Sequence, residues 1–328
     1  MIDKIKRVFV AVLATAGLVA FAVPALAQKY PNRVVTIVVP YPAGGPTDQL
    51  ARQIADKLSR KFGQNFIVEN VAGGGTIIGT NRVAHATPDG YTLLLHNLQV
   101  SANPTLYKSL PFDTEKDLEP IMFVNQDPLV LVGRPGLGPN NLNELVALMK
   151  KERLKAAIPG YGATGHLTTT LLANVAGVDI DQIPYRGAAP ALADVIGGHV
   201  DIFFATPQQV LQLVATGKLK AYGVTQKGEM QEFPHATSMV EALGPKLDIH
   251  YWQALFAPGG TPPGIIKVLN ETLEEVVSDP AILKIWTADG VTAFPKSERS
   301  PEAGRKLLKS EMARWGKVIK DNNIHVSQ

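Results

Sequence analysis

Cysteine does not occur in the 328 residues. Its absence excludes disulfides, thiolate nucleophiles and thiolate metal sites, and leaves nothing at odds with an oxidising compartment. The seven histidines are scattered without an H-E-x-x-H pair, and no G-x-S-x-G sequence is present, so these zinc-site and serine-hydrolase motifs are missing too. Neither sign of charge dominates, with 32 basic and 29 acidic residues, which argues against nucleic acid as a partner. We therefore expect no metal, no cofactor and no nucleic acid.

Long apolar runs are scarce as well, and the one present lies near the start of the chain. Val8 to Val23 follow three basic residues and precede Ala25-Leu26-Ala27, which fits the small-residue cleavage pattern. These features predict a secretory signal peptide over residues 1–27, cleaved near Ala27/Gln28. A membrane anchor is the alternative, but the run is short and has a cleavage motif behind it. Losing three basic residues and one acidic residue lowers the formal net charge of the exported, soluble chain from +3 to +1.

The clearest structural pattern lies between Val34 and Phe62. The β-branched run Val34–Val39 predicts a strand buried on both faces, and Pro40–Pro46 predicts a turn. A helix with an apolar residue at every fourth position follows, with Thr47 or Asp48 expected as its N-terminal cap. A glycine turn between strand and helix presents unpaired N–H groups at the positive end of the helix dipole. The pattern indicates an anion site without a fixed cation, for phosphate or carboxylate, or else a turn that binds nothing.

Strand, glycine turn and helix recur through the rest of the chain. The pattern returns at Ala72–Thr76, Gly160–His166 and Arg186–Pro190, which is typical of α/β sheets with crossover helices. In such sheets ligands bind at the carboxyl ends of the strands. The length suits two domains, and no low-complexity linker is present. We expect the chain to cross between them in strands near 125–133 and 248–256, which would act as hinges beside a cleft.

Nucleotide-binding motifs are incomplete in these glycine loops. Gly74-x-x-x-x-Gly79 has phosphate-loop spacing, but Thr80-Asn81 stand where Lys-Ser/Thr is needed. The G-x-G-x-x-G pattern occurs in neither of the first two loops. Without the lysine, these loops have no charge to neutralise a polyphosphate.

Other candidates stay open on the residues alone. His166 is either a base or metal ligand, or a structural histidine bonded to backbone at a helix start. Arg186, with Tyr185, is either a cleft cation or a solvated residue at a strand end. Tyr251 and Trp252 are either core or ligand-stacking aromatics.

Several longer stretches carry a resemblance to a known family. They are VTIVVPYPAGGPTD, VENVAGGGTIIG, ATPDGYTLLL, NPTLYKSLPFD, GATGHL, PYRGAAPALADVIGGHVDIFF, LFAPGGTPP and EMARWGKVIK. In order and spacing they resemble the Bug-type receptors, the periplasmic solute-binding proteins of tripartite tricarboxylate transporters. The match covers essentially the whole mature chain.

The resemblance implies a two-lobed periplasmic-binding-protein fold of type II-like α/β architecture. Residues 28–127 with 250–328 would form one lobe and residues 128–249 the other, joined by crossing hinge strands. It implies a periplasmic monomer that captures a small organic carboxylate between the lobes and delivers it to membrane permease subunits. A ligand sensor that signals to a membrane partner shares these features, and an exported hydrolase or transferase is a further alternative that lacks a nucleophile–base pair.

The resemblance also assigns candidate ligand-binding residues. The first glycine turn would hold a carboxylate, the second loop would hold the same end, and the turns of the other lobe would hold the rest of the ligand. The residues are Tyr41, Ala43, Gly44, Gly45, Thr47, Asp48, Gly74, Gly75, Thr76, Gly162, Ala163, Thr164, His166, Arg186, Gly187, Ala188, Ala189 and Thr206.

Departures from the family pattern narrow the chemical class of ligand that we expect. Many relatives have an aspartate that meets a ligand amino group where this chain has Ala205, followed by Thr206, so we expect a di-, tri- or aromatic carboxylate rather than an amino acid. Ala163-Thr164-Gly165 carries fewer hydroxyls than is usual, which favours a ligand whose far end is less polar or longer. Pro46 removes one amide from the first turn.

Overall fold

The structure is a computed structural model that describes residues 30–326, so the predicted signal peptide lies outside the described residues. The sheets and helices below belong to one packed unit that begins at Arg33. The strands are β1 (Val35–Val39), β2 (Phe66–Asn70), β3 (Thr92–Asn97), β4 (Leu118–Pro128), β5 (Val130–Gly133), β6 (Leu154–Ile158), β7 (Ile180–Pro184), β8 (Ile202–Ala205), β9 (Lys220–Val224), β10 (Thr237–Ser238) and β11 (His250–Pro258). The α-helices are α1 (Pro46–Phe62), α2 (Ile77–Ala84), α3 (Gln99–Leu106), α4 (Leu142–Met149), α5 (Thr164–Ala176), α6 (Ala188–Ile196), α7 (Pro207–Ala215), α8 (Met239–Leu243), α9 (Pro263–Val277), α10 (Pro280–Ala288) and α11 (Pro301–Asp321).

The strands form two sheets. The first sheet has the order β2-β1-β3-β11-β4, in which β2, β1 and β3 are parallel and β11 runs antiparallel to both of its neighbours. The second sheet has the order β10-β9-β5-β8-β6-β7, in which β5 is antiparallel to β9 and β8. The β-turn-α repeats therefore build parallel strands in both sheets, as predicted, and each sheet also contains one antiparallel crossing strand.

The chain passes between the sheets at two places that are bonded to each other. It leaves β4 of the first sheet at Pro128 and enters β5 of the second at Val130, and it returns into β11 at His250. Buried Thr225 ties the two passages together, because its hydroxyl accepts from Leu129 N at 2.8 Å and donates to Ile249 O at 2.6 Å. The predicted crossing strands therefore lie side by side, which is the arrangement of a hinge.

The first strand and helix form where the sequence predicts, but the helix cap differs. Leu50, Ile54 and Leu58 are buried on one face of α1. Gly45, rather than Thr47 or Asp48, is the N-cap, and no side chain caps this end. The prediction of a side-chain cap was wrong because proline is favoured at the first helical position, where its fixed φ suits the helix, so α1 begins at Pro46.

Among residues 30–326, no helix combines the length and apolar character that a membrane span requires.

Candidate functional site

The turns that follow the strands of the two sheets enclose a small cavity, called here the inner cavity, of about 70 Å³. The β1–α1 turn contributes Tyr41 to Thr47, except for Ala43 and Gly44. The starts of α5, α6 and α7 face it from the second sheet, and Leu129 of the hinge also lines it. The cavity thus occupies the position at the carboxyl ends of strands where α/β folds bind ligands.

Three of the helices that reach the inner cavity begin without a side-chain cap. Their N-cap residues are Gly45 for α1, Ala163 for α5 and Gly187 for α6, and none of these makes a side-chain hydrogen bond to the helix start. Four helices elsewhere are capped by the side chains of Asn141, Ser238, Asp279 and Ser300, whereas α2, α3 and α9 also begin without a side-chain cap. Ala163 forgoes about 1 kcal/mol of helix stability relative to a capping residue, and the glycines forgo a few tenths. The first-turn N–H groups of α1, α5 and α6 therefore lack an internal acceptor beside one shared space.

Thr206 begins the fourth helix at the cavity and differs from the other three. Its side chain and that of Gln209 form a capping box that satisfies the start of α7 internally. Thr206 therefore lines the cavity without leaving its own helix end uncapped.

The hydroxyl of Thr164 adds a side-chain donor at the start of α5. Thr164 is only 4% exposed and lines the inner cavity. Its Oγ1 is buried and has no hydrogen-bond partner among the described residues. A buried hydroxyl without a partner is costly, and an anion in the cavity would give it an acceptor.

Asp48 holds the first turn in shape from behind. Its carboxylate accepts from Gly44 N at 2.9 Å, from Asn70 Nδ2 at 3.0 Å and from Arg52 Nε at 3.1 Å. Burial favours a higher pKa for Asp48, but the hydrogen bonds from Arg52, Gly44 and Asn70 outweigh it and hold the pKa below its ordinary value. Asp48 is therefore ionised at neutral pH and fixes the turn, without lining the cavity.

Several residues of the cavity wall were not among the predicted site residues, and two of them form a polar pair, although the sequence left Tyr251 open as a core or ligand-stacking aromatic. Asn97, at the end of β3, and Tyr251, in β11, both line the cavity. The Tyr251 hydroxyl lies 3.0 Å from Thr47 Oγ1 and accepts from Asn97 Nδ2 at 3.0 Å. Burial raises the pKa of Tyr251 to about 12, so this wall is uncharged at neutral pH. An unusually polar end to β3 was the only sequence signal for it.

The Tyr41 side chain is held by a buried histidine. Its hydroxyl lies 3.1 Å from His96 Nδ1, and their rings meet edge to face. Burial lowers the pKa of His96 to about 3, so this histidine is neutral at physiological pH.

His166 has the structural role that the sequence left as one of two alternatives. Its Nδ1 accepts from Gly162 N at 3.1 Å and shapes the loop before α5. Burial lowers the pKa of His166 to about 4, so the ring is neutral. His166 does not line the cavity, and neither does Gly162.

Outside the inner cavity lies a wider space of about 730 Å³, called here the outer cleft. The second glycine loop, Gly74–Thr76, and Arg186 line the outer cleft rather than the inner cavity. Tyr107, Tyr161 and Tyr185 share that lining. The structure therefore divides the predicted site between two connected spaces. The predicted residues that line neither space are Ala43, Gly44, Asp48, Gly162, His166 and Ala189.

None of the described residues that line the inner cavity carries a charged side chain. Leu129, Phe203 and Phe204 supply an apolar floor. The cavity therefore offers backbone N–H groups, hydroxyls and apolar surface. Chemically, this combination suits a small anion with a hydrocarbon body.

Comparison with known proteins places the chain in a family. The family model described as the tripartite tricarboxylate transporter family receptor matches residues 50–324. The protein BugT of Bordetella pertussis is 34% identical over 313 residues, covering 94% of each chain. The structure of the periplasmic binding protein BugD is similar with a TM-score of 0.85 and 34% identity, covering 90% of this chain and 99% of that one.

An R. palustris protein solved with adipate is also similar, with a TM-score of 0.84 and 30% identity, covering 90% of this chain and 99% of that one. The two sheets described above are therefore the two halves of the two-lobed periplasmic-binding-protein fold that the resemblance implied. The chain belongs to the receptor family of the tripartite tricarboxylate transporters.

Proposed function

We propose that this protein is a periplasmic monomer that captures a small organic carboxylate in the inner cavity and delivers it to the permease subunits of a tripartite tricarboxylate-type transporter. It acts as a binding protein rather than an enzyme. The observation that carries the proposal is the meeting of three uncapped helix starts, those of α1, α5 and α6, around a cavity without charged side chains.

The energetics favour a carboxylate at this position. A hydrogen bond from an N–H group to a charged acceptor contributes about 1.5–3 kcal/mol, and such bonds are stronger than those between neutral groups. Three such bonds would supply about 5–9 kcal/mol before the costs of ordering, against the ~8 kcal/mol of a micromolar complex. The Thr164 hydroxyl and the apolar floor would add to this sum.

The same lining disfavours an amino-acid ligand. An ammonium group needs a carboxylate partner, and the inner cavity offers none among the described residues. Ala205, at the position where the family resemblance implies a frequent aspartate, is buried at the end of β8 and lines neither the inner cavity nor the outer cleft. Di-, tri- and aromatic carboxylates fit better, and the adipate carried by the R. palustris relative is consistent with this class.

Ligand capture would close the molecule around the hinge at Thr225. A carboxylate in the cavity contacts α1 beside the first sheet and α5 and α6 beside the second, so it gains most when both sides approach. We take the two moving lobes to be residues 28–127 with 250–328, and residues 128–249.

Isothermal titration of refolded, ligand-free mature protein tests the binding step. The panel contains mono-, di- and tricarboxylates, aromatic acids and the corresponding amino acids. We expect at least one carboxylate to bind with a Kd of about 10 μM or tighter, and the amino acids to bind far more weakly. Failure of every carboxylate in a broad panel would refute the proposal. Delivery is tested separately, because deletion of the cognate permease must abolish uptake of the ligand.

A further inference from the structure

The inner cavity and the outer cleft meet at a narrow passage, called here the neck. The residues that line both spaces define it, and they are Tyr41, Pro42, Pro159, Ala163 and Gly187. Pro42 comes from the β1–α1 turn and Gly187 from the β7–α6 turn, so the neck is built from both sides of the hinge.

Pro42 and Gly187 approach each other closely across the neck. A Cβ atom placed on Gly187 would lie 3.3 Å from Pro42 Cγ and 3.5 Å from Pro42 Cδ. Gly187 also has a φ of 112°, a backbone conformation that only glycine adopts readily. The absence of a side chain at Gly187 therefore permits both this turn and its contact with the proline ring.

A second glycine makes a similar contact farther out. Gly162, with a φ of 80°, faces α3, and a Cβ there would lie 3.2 Å from both Gln99 Nε2 and Leu106 Cδ1. Two glycine turns on the second-sheet side thus lie close against the first-sheet side. The two sides can close at these glycines only when no ligand atom lies between the glycines and their neighbours.

From this geometry we propose that Pro42 and Gly187 form a gate that selects ligands by length. The inference rests on the proposed function and deepens it by naming the size of the ligand. The inner cavity, at about 70 Å³, is far smaller than the outer cleft, at about 730 Å³, and so encloses only a short acid. A longer acid with its carboxylate at the helix starts extends through the neck and holds Pro42 and Gly187 apart. Binding of such a longer acid therefore lacks the free energy that closure supplies, and its affinity is lower.

Titration of an unbranched dicarboxylate series, from malonate to suberate, tests the gate. We expect the wild-type protein to bind the short members and to lose about tenfold or more in affinity at one definite chain length. Pro42→Ala removes the two ring atoms that face Gly187, so the first acid that the wild type rejects should bind about tenfold tighter, with the short acids little changed. Pro88→Ala, in the exposed turn before β3, is the matched control for proline removal and should keep the wild-type profile.

Gly187→Ala is an independent second variant. Its methyl group would lie 3.3 Å from Pro42 Cγ and hinder closure of the neck, so we expect the short acids to lose about tenfold or more in affinity. The outcomes separate the two proposals. Absence of binding by any carboxylate refutes the proposed function and the gate together. Binding without a length limit, an unshifted limit in Pro42→Ala, or full affinity in Gly187→Ala refutes the gate alone.

Discussion

Replacement of Thr164 by valine is the sharpest test of the site, because its effects on folding and on binding have opposite signs. Valine has nearly the same shape as threonine, so the packing of this residue at the start of α5 is kept. The hydroxyl that it removes is buried and has no partner among the described residues. Relief of an unsatisfied buried polar group is worth about 1–3 kcal/mol, so the free energy of unfolding of the ligand-free variant should be unchanged or higher by about 1 kcal/mol.

Binding should respond in the other direction. A hydroxyl that donates to a carboxylate contributes about 1.5–3 kcal/mol, so Thr164→Val should weaken the best ligand by about 10- to 150-fold. Urea unfolding measures the first quantity and isothermal titration the second.

Thr169→Val is the control on the same helix. The hydroxyl of Thr169 is buried too, but it donates to Gly165 O at 2.7 Å and does not line the cavity. Its loss should lower stability slightly and leave affinity unchanged. If Thr164→Val kept wild-type affinity, the start of α5 would not contact the ligand, and the reasoning from uncapped helices would be wrong.

Three further predictions concern the first turn, specificity and pH. Gly45→Val should weaken binding by about tenfold or more, because Gly45 lines the cavity. It should cost only about 1 kcal/mol of stability. Gly45 has an ordinary φ of −82°, and the nearest atom to a Cβ added there is Pro42 O at 3.9 Å. Titration measures the affinity and thermal melts measure the stability, with Gly138→Val at an exposed position as the control. Thr206→Asp keeps a capping residue but adds a negative charge, which destabilises a bound carboxylate about 5 Å away by ~3 kcal/mol. The affinity for acids should therefore fall by over about 100-fold, while the affinity for amino acids should rise. An equal loss of affinity for both classes in titrations would contradict this prediction. Burial raises the pKa of Asp127 to about 7 from 3.8, so its contribution to stability is full below pH 3.8 and lost as the pH rises to 7. Between pH 5 and 8, urea unfolding should show that the free energy of unfolding of the wild type falls by about 2–3 kcal/mol, whereas that of Asp127→Asn does not. Parallel pH profiles for the two proteins would contradict this role of Asp127.

Local pattern predicted most of the fold. The β-branched run before the first turn and the four-residue apolar spacing of α1 each act within one element, and the structure confirms both. The helix α3 was missed. Its residues Gln99 to Asn103 are all buried, so it has no polar face to produce a helical period, and Pro104 stands inside it.

The candidate site was predictable in part, for a physical reason. The glycine turns that follow strands are local features, and the topology brings several of them to one cavity. Asn97 and Tyr251 are 154 positions apart and meet only because β11 returns beside β3, so no local pattern could pair them. That the predicted residues hold a ligand remains a prediction.

The uncharged lining of the inner cavity has a consequence for how binding would respond to solution conditions. Main-chain amides and hydroxyls do not ionise between pH 5 and 9, and the neighbouring His96 and Tyr251 stay neutral in that range. Below pH 7, where Asp127 is still protonated, the pH curve of affinity should therefore follow the ionisation of the captured acid itself. A receptor of this kind would keep its affinity when a bacterium's surroundings turn mildly acidic, for as long as its ligand stays an anion.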